Sequence, residues 1–282
     1  MRPAQWSKNL FVLAPLLFAR RLGDPAALRD AALAFAAFSA AASGTYLLND
    51  LADRERDRLH PQKRRRPIAS GALGSGAAAV AALALAAVAA VAAWPLGRGF
   101  ALLLVGYLAL SVLYTLVLKR LVILDVMAIS LGFVLRVLAG AAAIAVAVSH
   151  WLLLCTSFLA LFLGFSKRRH ELTLLRDDAA GQRSVLAQYT PAFLDQMINV
   201  VTASTVVCYA LYAVAPETVA KFQTDRLLLT LPMVLFGIFR YLYLVHRPGE
   251  LRNPTEAILR DPPFLANVAL WAVAAAGIVH AF

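Results

Sequence analysis

Asn49 to Gly71, read N-D-L-A-D-R-E-R-D-R-L-H-P-Q-K-R-R-R-P-I-A-S-G, holds an amide, four carboxylates (Asp50, Asp53, Glu55, Asp57), seven cationic side chains and His60. Asn49, Asp50, Asp53 and Asp57 stand at i, i+1, i+4 and i+8. On a helix, Asn49, Asp53 and Asp57 share one face, with Asp50 close by. Carboxylates stacked in this way repel unless a cation sits among them. Mg²⁺ takes oxygen ligands and usually binds through one or two carboxylates plus substrate phosphates. Asn49, Asp50, Asp53 and Asp57 are therefore candidate metal ligands and catalytic residues, and Lys63, Arg64 and Arg66 add donors for an anion. The chemistry this implies is departure of a diphosphate whose charge is neutralised as it leaves. The alternative is a solvated loop whose acids pair with its own arginines.

The elements that must position these residues are membrane helices. Of 282 residues, 61% are hydrophobic and 15% charged, and the mean hydropathy is +0.71. Such a composition gives an all-α polytopic membrane protein, read as one domain over 1–282. Nine apolar stretches are candidate spans: 9–19, 27–49, 74–94, 99–118, 121–146, 151–166, 192–214, 226–245 and 263–281. The first apolar run is expected to be retained, since no small-residue cleavage site follows it. Cys155 and Cys208 read as small buried hydrophobes without disulfide or metal spacing. The net charge of +11 fits the positive-inside rule better than nucleic-acid binding. With the N-terminus in the cytoplasm, 20 of the 27 cations fall on the inner side and 6 on the outer. The aspartate loop, the 119–120 turn and the 167–183 and 240–260 loops then all face the cytoplasm.

Other residues stand out against this frame. Tyr114 and Lys119 are interfacial anchors or site residues. Asp125 stands where the chain re-enters the apolar phase. Arg136 lies mid-span, where a cation is costly, and it is expected to line the bundle interior near a substrate. Lys167, Arg168, Arg169 and Glu171 end the sixth span, either as snorkelling cations or as phosphate contacts. Asp177-Asp178, followed by Gly181, reads as a turn. Thr190-Pro191 reads as a helix cap and first position, with Asp195 complementing the helix dipole. Glu256 and Arg260-Asp261 sit in the last inner loop without an assigned role.

Asn49-Asp50-x-x-Asp53-x-x-x-Asp57 resembles the first aspartate-rich motif of the UbiA superfamily of intramembrane prenyltransferases. Two flanks, Arg2-Pro3-x-Gln5-Trp6-x-Lys8-Asn9 and His60-Pro61-x-Lys63-Arg64-x-Arg66-Pro67-Ile68, resemble its decaprenyl-phosphate phosphoribosyltransferase branch. The resemblance runs from Arg2 to about Asp261. It implies a UbiA-like bundle in a bacterial inner membrane, Mg²⁺ as cofactor, and a role in cell-wall precursor synthesis. It also implies transfer of 5-phosphoribose from phosphoribosyl diphosphate to a long polyprenyl phosphate, in a chain that leaves room for a homo-oligomer. Where prenyl-transferring members carry a second aspartate-rich motif, this chain has one acid, Glu171, among cations. That departure fits a donor with an additional phosphate, for which Lys167 and Arg168 are candidates. Arg136, Gln5, Lys8 and Tyr114 are further candidates for donor or lipid phosphate. A prenyltransferase acting on an aromatic acceptor such as 4-hydroxybenzoate, and a non-enzymatic transporter or scaffold, stay open.

Overall fold

The computed structural model describes residues 3–59, 63–175, 185–246 and 260–281, and these are helical almost throughout. A 3-10 helix, Pro3–Leu13, runs into α1 (Ala14–Phe18). Then follow α2 (Pro25–Ala52), α3 (Arg54–Leu59), α4 (Ser75–Ala93), α5 (Gly97–Leu116), α6 (Leu124–Ala143), α7 (His150–Leu175), α8 (Pro191–Val214), α9 (Pro216–Phe222), α10 (Leu231–His246) and α11 (Pro262–His280).

Three of the long helices start on a repeated local device. Asp24, Thr190 and Asp261 each cap a helix through the side chain, and each is followed by proline at the first position. A capping oxygen satisfies an amide the helix cannot, and proline has no amide to leave unsatisfied. The Thr190-Pro191 start expected from the sequence is present, with Phe193 N donating to Thr190 Oγ1 at 3.2 Å.

Seven helical tracts among the described residues are long and apolar enough to cross a membrane. One of them, Ser75–Leu116, is 42 residues long. It takes in two expected spans and is broken at Trp94–Leu96 and Gly97, where φ is +84°. The nine expected spans are thus not reproduced as nine separate membrane-length helices. The first is the main departure. Residues 9–19 belong to the 3-10 segment and the short α1, and this apolar stretch, Trp6–Phe18, is below spanning length. It packs into the bundle instead. Gly140 on α6 makes room for it, because a Cβ there would overlap the Val12 carbonyl.

Val80, Leu83, Trp94, Leu102, Leu229 and Val273 are widely exposed on the outside of the bundle. In a bilayer that is the surface lipid covers. Cys155 and Cys208 do not sit apart as independent fillers: their sulfurs meet across α7 and α8 at 3.4 Å.

Candidate active site

The helical ladder continues through the α2–α3 junction. Asp53 N donates to Asn49 O at 2.9 Å and Asp57 N to Asp53 O at 2.8 Å. The i, i+4, i+8 spacing therefore stays helical, although α2 formally ends at Ala52. The side chains divide into two groups. Asp50 and Asp57 converge on one atom, Arg66 Nη1, at 3.1 and 2.5 Å. Asp53 accepts from Lys119 Nζ at 2.8 Å, and Asn49 Oδ1 accepts from Thr115 Oγ1 at 3.5 Å. Asp50 and Asp57 are buried, and the Lys119 side chain is only 7% exposed.

A second charged cluster lies beside the first. Arg168, 1% exposed, donates from Nε to Asp125 Oδ2 at 2.6 Å, from Nη1 to Glu171 and from Nη2 to Tyr114 Oη at 3.2 Å. Lys167 Nζ lies 3.9 Å from the other Glu171 oxygen. The end of α5 and the turn after it join the clusters. Tyr114 meets Arg168, Thr115 meets Asn49 and Lys119 meets Asp53. The expected aspartate loop and the cationic end of α7 are thus brought to one end of the bundle.

The remaining candidates are placed as follows. Lys63 is partly buried and Arg64 exposed, both on the 3-10 turn Lys63–Arg65 that leads to Arg66. Lys8 lies on the N-terminal segment, which runs along α2 through Trp6 Nε1 to Ser43 Oγ (3.2 Å) and Asn9 Nδ2 to Ser39 Oγ (3.0 Å). Arg136 is buried and distant from Asp125, about 16 Å along α6 at 1.5 Å per residue. It donates to Asn9 Oδ1 (2.8 Å), Gly132 O (2.8 Å) and Tyr107 Oη (3.0 Å), with its guanidinium 4.5 Å from the Tyr107 ring centroid. These contacts tie α6 to α5 and to the N-terminal segment. Asp195 takes an arginine as well as a dipole, accepting from Arg169 Nε at 2.8 Å. Asp261 pairs with Arg240 at 2.8 Å in addition to capping α11. The Gln5 side chain and residues His60, Asp177, Asp178, Gly181 and Glu256 lie outside the described residues.

Tyr189 is not among the candidates the sequence offers, and Lys119 is there only as an interfacial anchor or a site residue. Lys119 carried a signal, being a cation in a tight turn between two spans. Tyr189 carried none beyond its place before a cap.

Among the described residues no three acidic, histidine or cysteine side chains gather at one point. What the site offers a divalent cation is a carboxylate pair already focused on one positive atom, with a third carboxylate and an amide beside it. That fits Mg²⁺, which binds through one or two carboxylates and completes its shell with substrate phosphates and water.

A charged, aspartate-rich site at one end of an all-helical membrane bundle defines an intramembrane class of protein. The UbiA prenyltransferase family model matches residues 10–259. The decaprenyl-phosphate phosphoribosyltransferase of Mycolicibacterium smegmatis is 36% identical over 270 residues, covering 93% of this chain and 85% of the relative. The protein of that name from Mycobacterium tuberculosis is 34% identical over 289 residues, covering 100% and 93%. A UbiA homologue from Archaeoglobus fulgidus, solved bound to GPP and Mg²⁺, matches with a TM-score of 0.73 at 20% identity, covering 100% of this chain and 98% of that one. At that identity the likeness concerns fold alone. The chain belongs to the UbiA prenyltransferase family.

Proposed function

We propose that this protein transfers 5-phosphoribose from phosphoribosyl diphosphate to a polyprenyl phosphate of the decaprenyl type, releasing diphosphate. The names of the relatives support the choice of donor and acceptor. The observation in the chain itself that carries the reading is the end of α7. There Lys167 and Arg168 both contact Glu171, the one acid at the end of the helix, while Arg169 turns to Asp195, and Tyr114 joins Arg168 to the segment that meets the aspartates. Such an end favours a further phosphate over a second metal.

In this reading the ribose C1–O bond to diphosphate breaks, and an oxygen of the lipid phosphate bonds to C1. The lipid phosphate is already ionised, so no strong base is needed. Mg²⁺ would neutralise charge on the departing diphosphate. Asp50, Asp57 and Asp53 would hold it, with Asn49 beside them. Arg66 and Lys119 occupy these carboxylates before substrate arrives. With Lys63 and Arg64, Arg66 then supplies donors to the leaving group. Lys167 is the candidate for the donor's 5-phosphate. Arg168, buried and committed to three partners, orients Glu171 and Tyr114 around it. Gln5 and Lys8, both on the N-terminal segment, remain candidates for donor or lipid phosphate. The chain acts as one domain, with this end in the cytoplasm, an orientation the distribution of cations supports.

The test uses purified protein in detergent with Mg²⁺, radiolabelled phosphoribosyl diphosphate and polyprenyl phosphate. Label should move into the organic phase, and EDTA should abolish the transfer. No transfer, with turnover of a polyprenyl diphosphate and 4-hydroxybenzoate instead, would replace this reading by aromatic prenylation.

A further inference from the structure

Between the turn after α5 and the start of α6, the backbone does something that costs energy. Ile123 has φ +69° and ψ −48°. Leu124 N donates to Val122 O at 2.8 Å, closing a three-residue turn. A γ-turn of this hand is rare and strained, and a β-branched residue at positive φ is an outlier. Such strain persists only where the surroundings over-determine it, and it gathers at functional sites.

The over-determining group is Tyr189. Its hydroxyl accepts from Ile123 N at 2.7 Å and donates to Asp125 Oδ1 at 2.7 Å. Both capacities of the phenol are used. Burial and the Asp125 carboxylate hold this phenol above its ordinary titration range, so it remains a donor. Asp125 is fully buried, and its other oxygen receives Arg168. The ring is separately fixed, in a cluster with Val126, Phe165 and Leu194 and stacked on Phe193 with centroids 6.0 Å apart. The hydroxyl therefore has a task distinct from packing.

We propose that Tyr189 is a positioning residue for diphosphate binding. Its hydroxyl pins the Ile123 turn and Asp125 and so fixes residues 114–125 against α7. That segment carries contacts to both charged clusters. Tyr114 stands at its start on Arg168, Thr115 on Asn49, and Lys119 on Asp53. Releasing the turn lets Lys119 and Tyr114 drift from the aspartates and from Arg168, and the phosphate-binding end loses its alignment. The inference rests on the phosphoribosyl-transfer reading for the identity of the donor, but not for the binding of diphosphate.

Tyr189→Phe removes the hydroxyl and keeps the ring. Phe193→Leu removes the stacked ring and keeps the hydroxyl, as a packing control. Both variants are titrated calorimetrically in detergent with Mg²⁺ and inorganic diphosphate, and hydrogen exchange is followed across 117–126. Tyr189→Phe should weaken diphosphate binding about 10- to 100-fold, the range for a lost hydrogen bond in a charged network. It should also speed exchange in 117–126, and raise KM for phosphoribosyl diphosphate with KM for polyprenyl phosphate unchanged. Phe193→Leu should lower the melting temperature and leave diphosphate affinity as it was. Unchanged diphosphate affinity in folded Tyr189→Phe overturns the inference, as does an equal loss in both variants. A wild type that binds Mg²⁺–diphosphate but transfers no phosphoribose overturns the activity alone. The positioning role is then decided by the two titrations. A wild type that binds no diphosphate overturns both.

Discussion

The aspartate cluster and the Asp125–Arg168 cluster share one end of the bundle and the same side-chain chemistry, yet they are closed in different ways. Asp50 and Asp57 are held by Arg66, whose side chain is 26% exposed and comes from a short turn between helices. Asp125 and Arg168 are on rigid helices and essentially inaccessible. The carboxylates are buried, but the Arg66 end of the pair reaches water, so its guanidinium can be hydrated again when another cation takes its place. A pair buried at both ends cannot change partners in this way, because removing one partner strands a charge in a medium of low dielectric. In the proposed reading the first cluster exchanges a side-chain cation for Mg²⁺. The second is built to stay as it is and to hold the first in place.

Removing a carboxylate from the exchangeable cluster is expected to have the largest effect on catalysis. Asp57→Asn or Asp53→Asn should lower kcat/KM by ~10²–10³-fold, the usual scale for losing one preorganised electrostatic group. Thermal stability in detergent should be little changed in Asp57→Asn, whose partner Arg66 reaches water. A fully active, Mg²⁺-dependent Asp57→Asn enzyme would remove the ligand assignment. The permanent cluster should respond in the opposite sense. Asp125→Ala should destabilise by about 3–5 kcal/mol by leaving Arg168 short of its buried partner, read as a large fall in melting temperature. A melting temperature near wild type would mean that the two clusters do not differ as described.

Arg66→Gln sharpens the contrast further. Freed of their competing cation, Asp50 and Asp57 should bind Mn²⁺ about fivefold more tightly without substrate, the equivalent of roughly 1 kcal/mol, the scale of a pair whose cationic partner reaches water. Manganese spin-resonance titration checks it, and weaker binding would mean that Arg66 organises these acids and does not compete for them.

The smallest effect is expected at an ion pair outside both clusters. Hydrogen bonding to Arg240 holds the Asp261 carboxyl below its ordinary range, with burial opposing and the Phe264 amide assisting. A depressed carboxyl stabilises the fold above its unfolded pKa, near 3.9, and that contribution fades as pH falls through the folded value. Asp261→Ala should cost about 1 kcal/mol, as for other lost caps. It should leave diphosphate binding unchanged and flatten the acid limb of a melting-temperature profile.

What was legible in the sequence was whatever a helix writes at fixed spacing. The Thr190-Pro191 start was readable, and so was the aspartate ladder, because both are local hydrogen-bond patterns. The all-α class was readable because a bilayer leaves few other ways to satisfy backbone groups. Pairing was not readable. Lys119 finds Asp53 across 66 positions, Tyr189 finds Asp125 across 64, and the two cysteine sulfurs meet across 53. Each depends on which helix packs on which, and no period in the chain encodes that. The expectation for Arg136 met the same limit. A mid-span arginine signalled an interior position but not its neutral partners, Asn9, Tyr107 and the Gly132 carbonyl.

The missing side chain at Gly140 has a consequence beyond close packing. The Val12 carbonyl occupies the space a methyl group would need, so a single added carbon would unseat the segment that carries Lys8 and Asn9. Arg136 would lose the Asn9 side-chain oxygen it donates to, and α2 the side-chain contacts to Ser39 and Ser43. The first residues of the chain thus work as a wedge driven between α2 and α6, and one hydrogen atom in place of a methyl keeps its slot open.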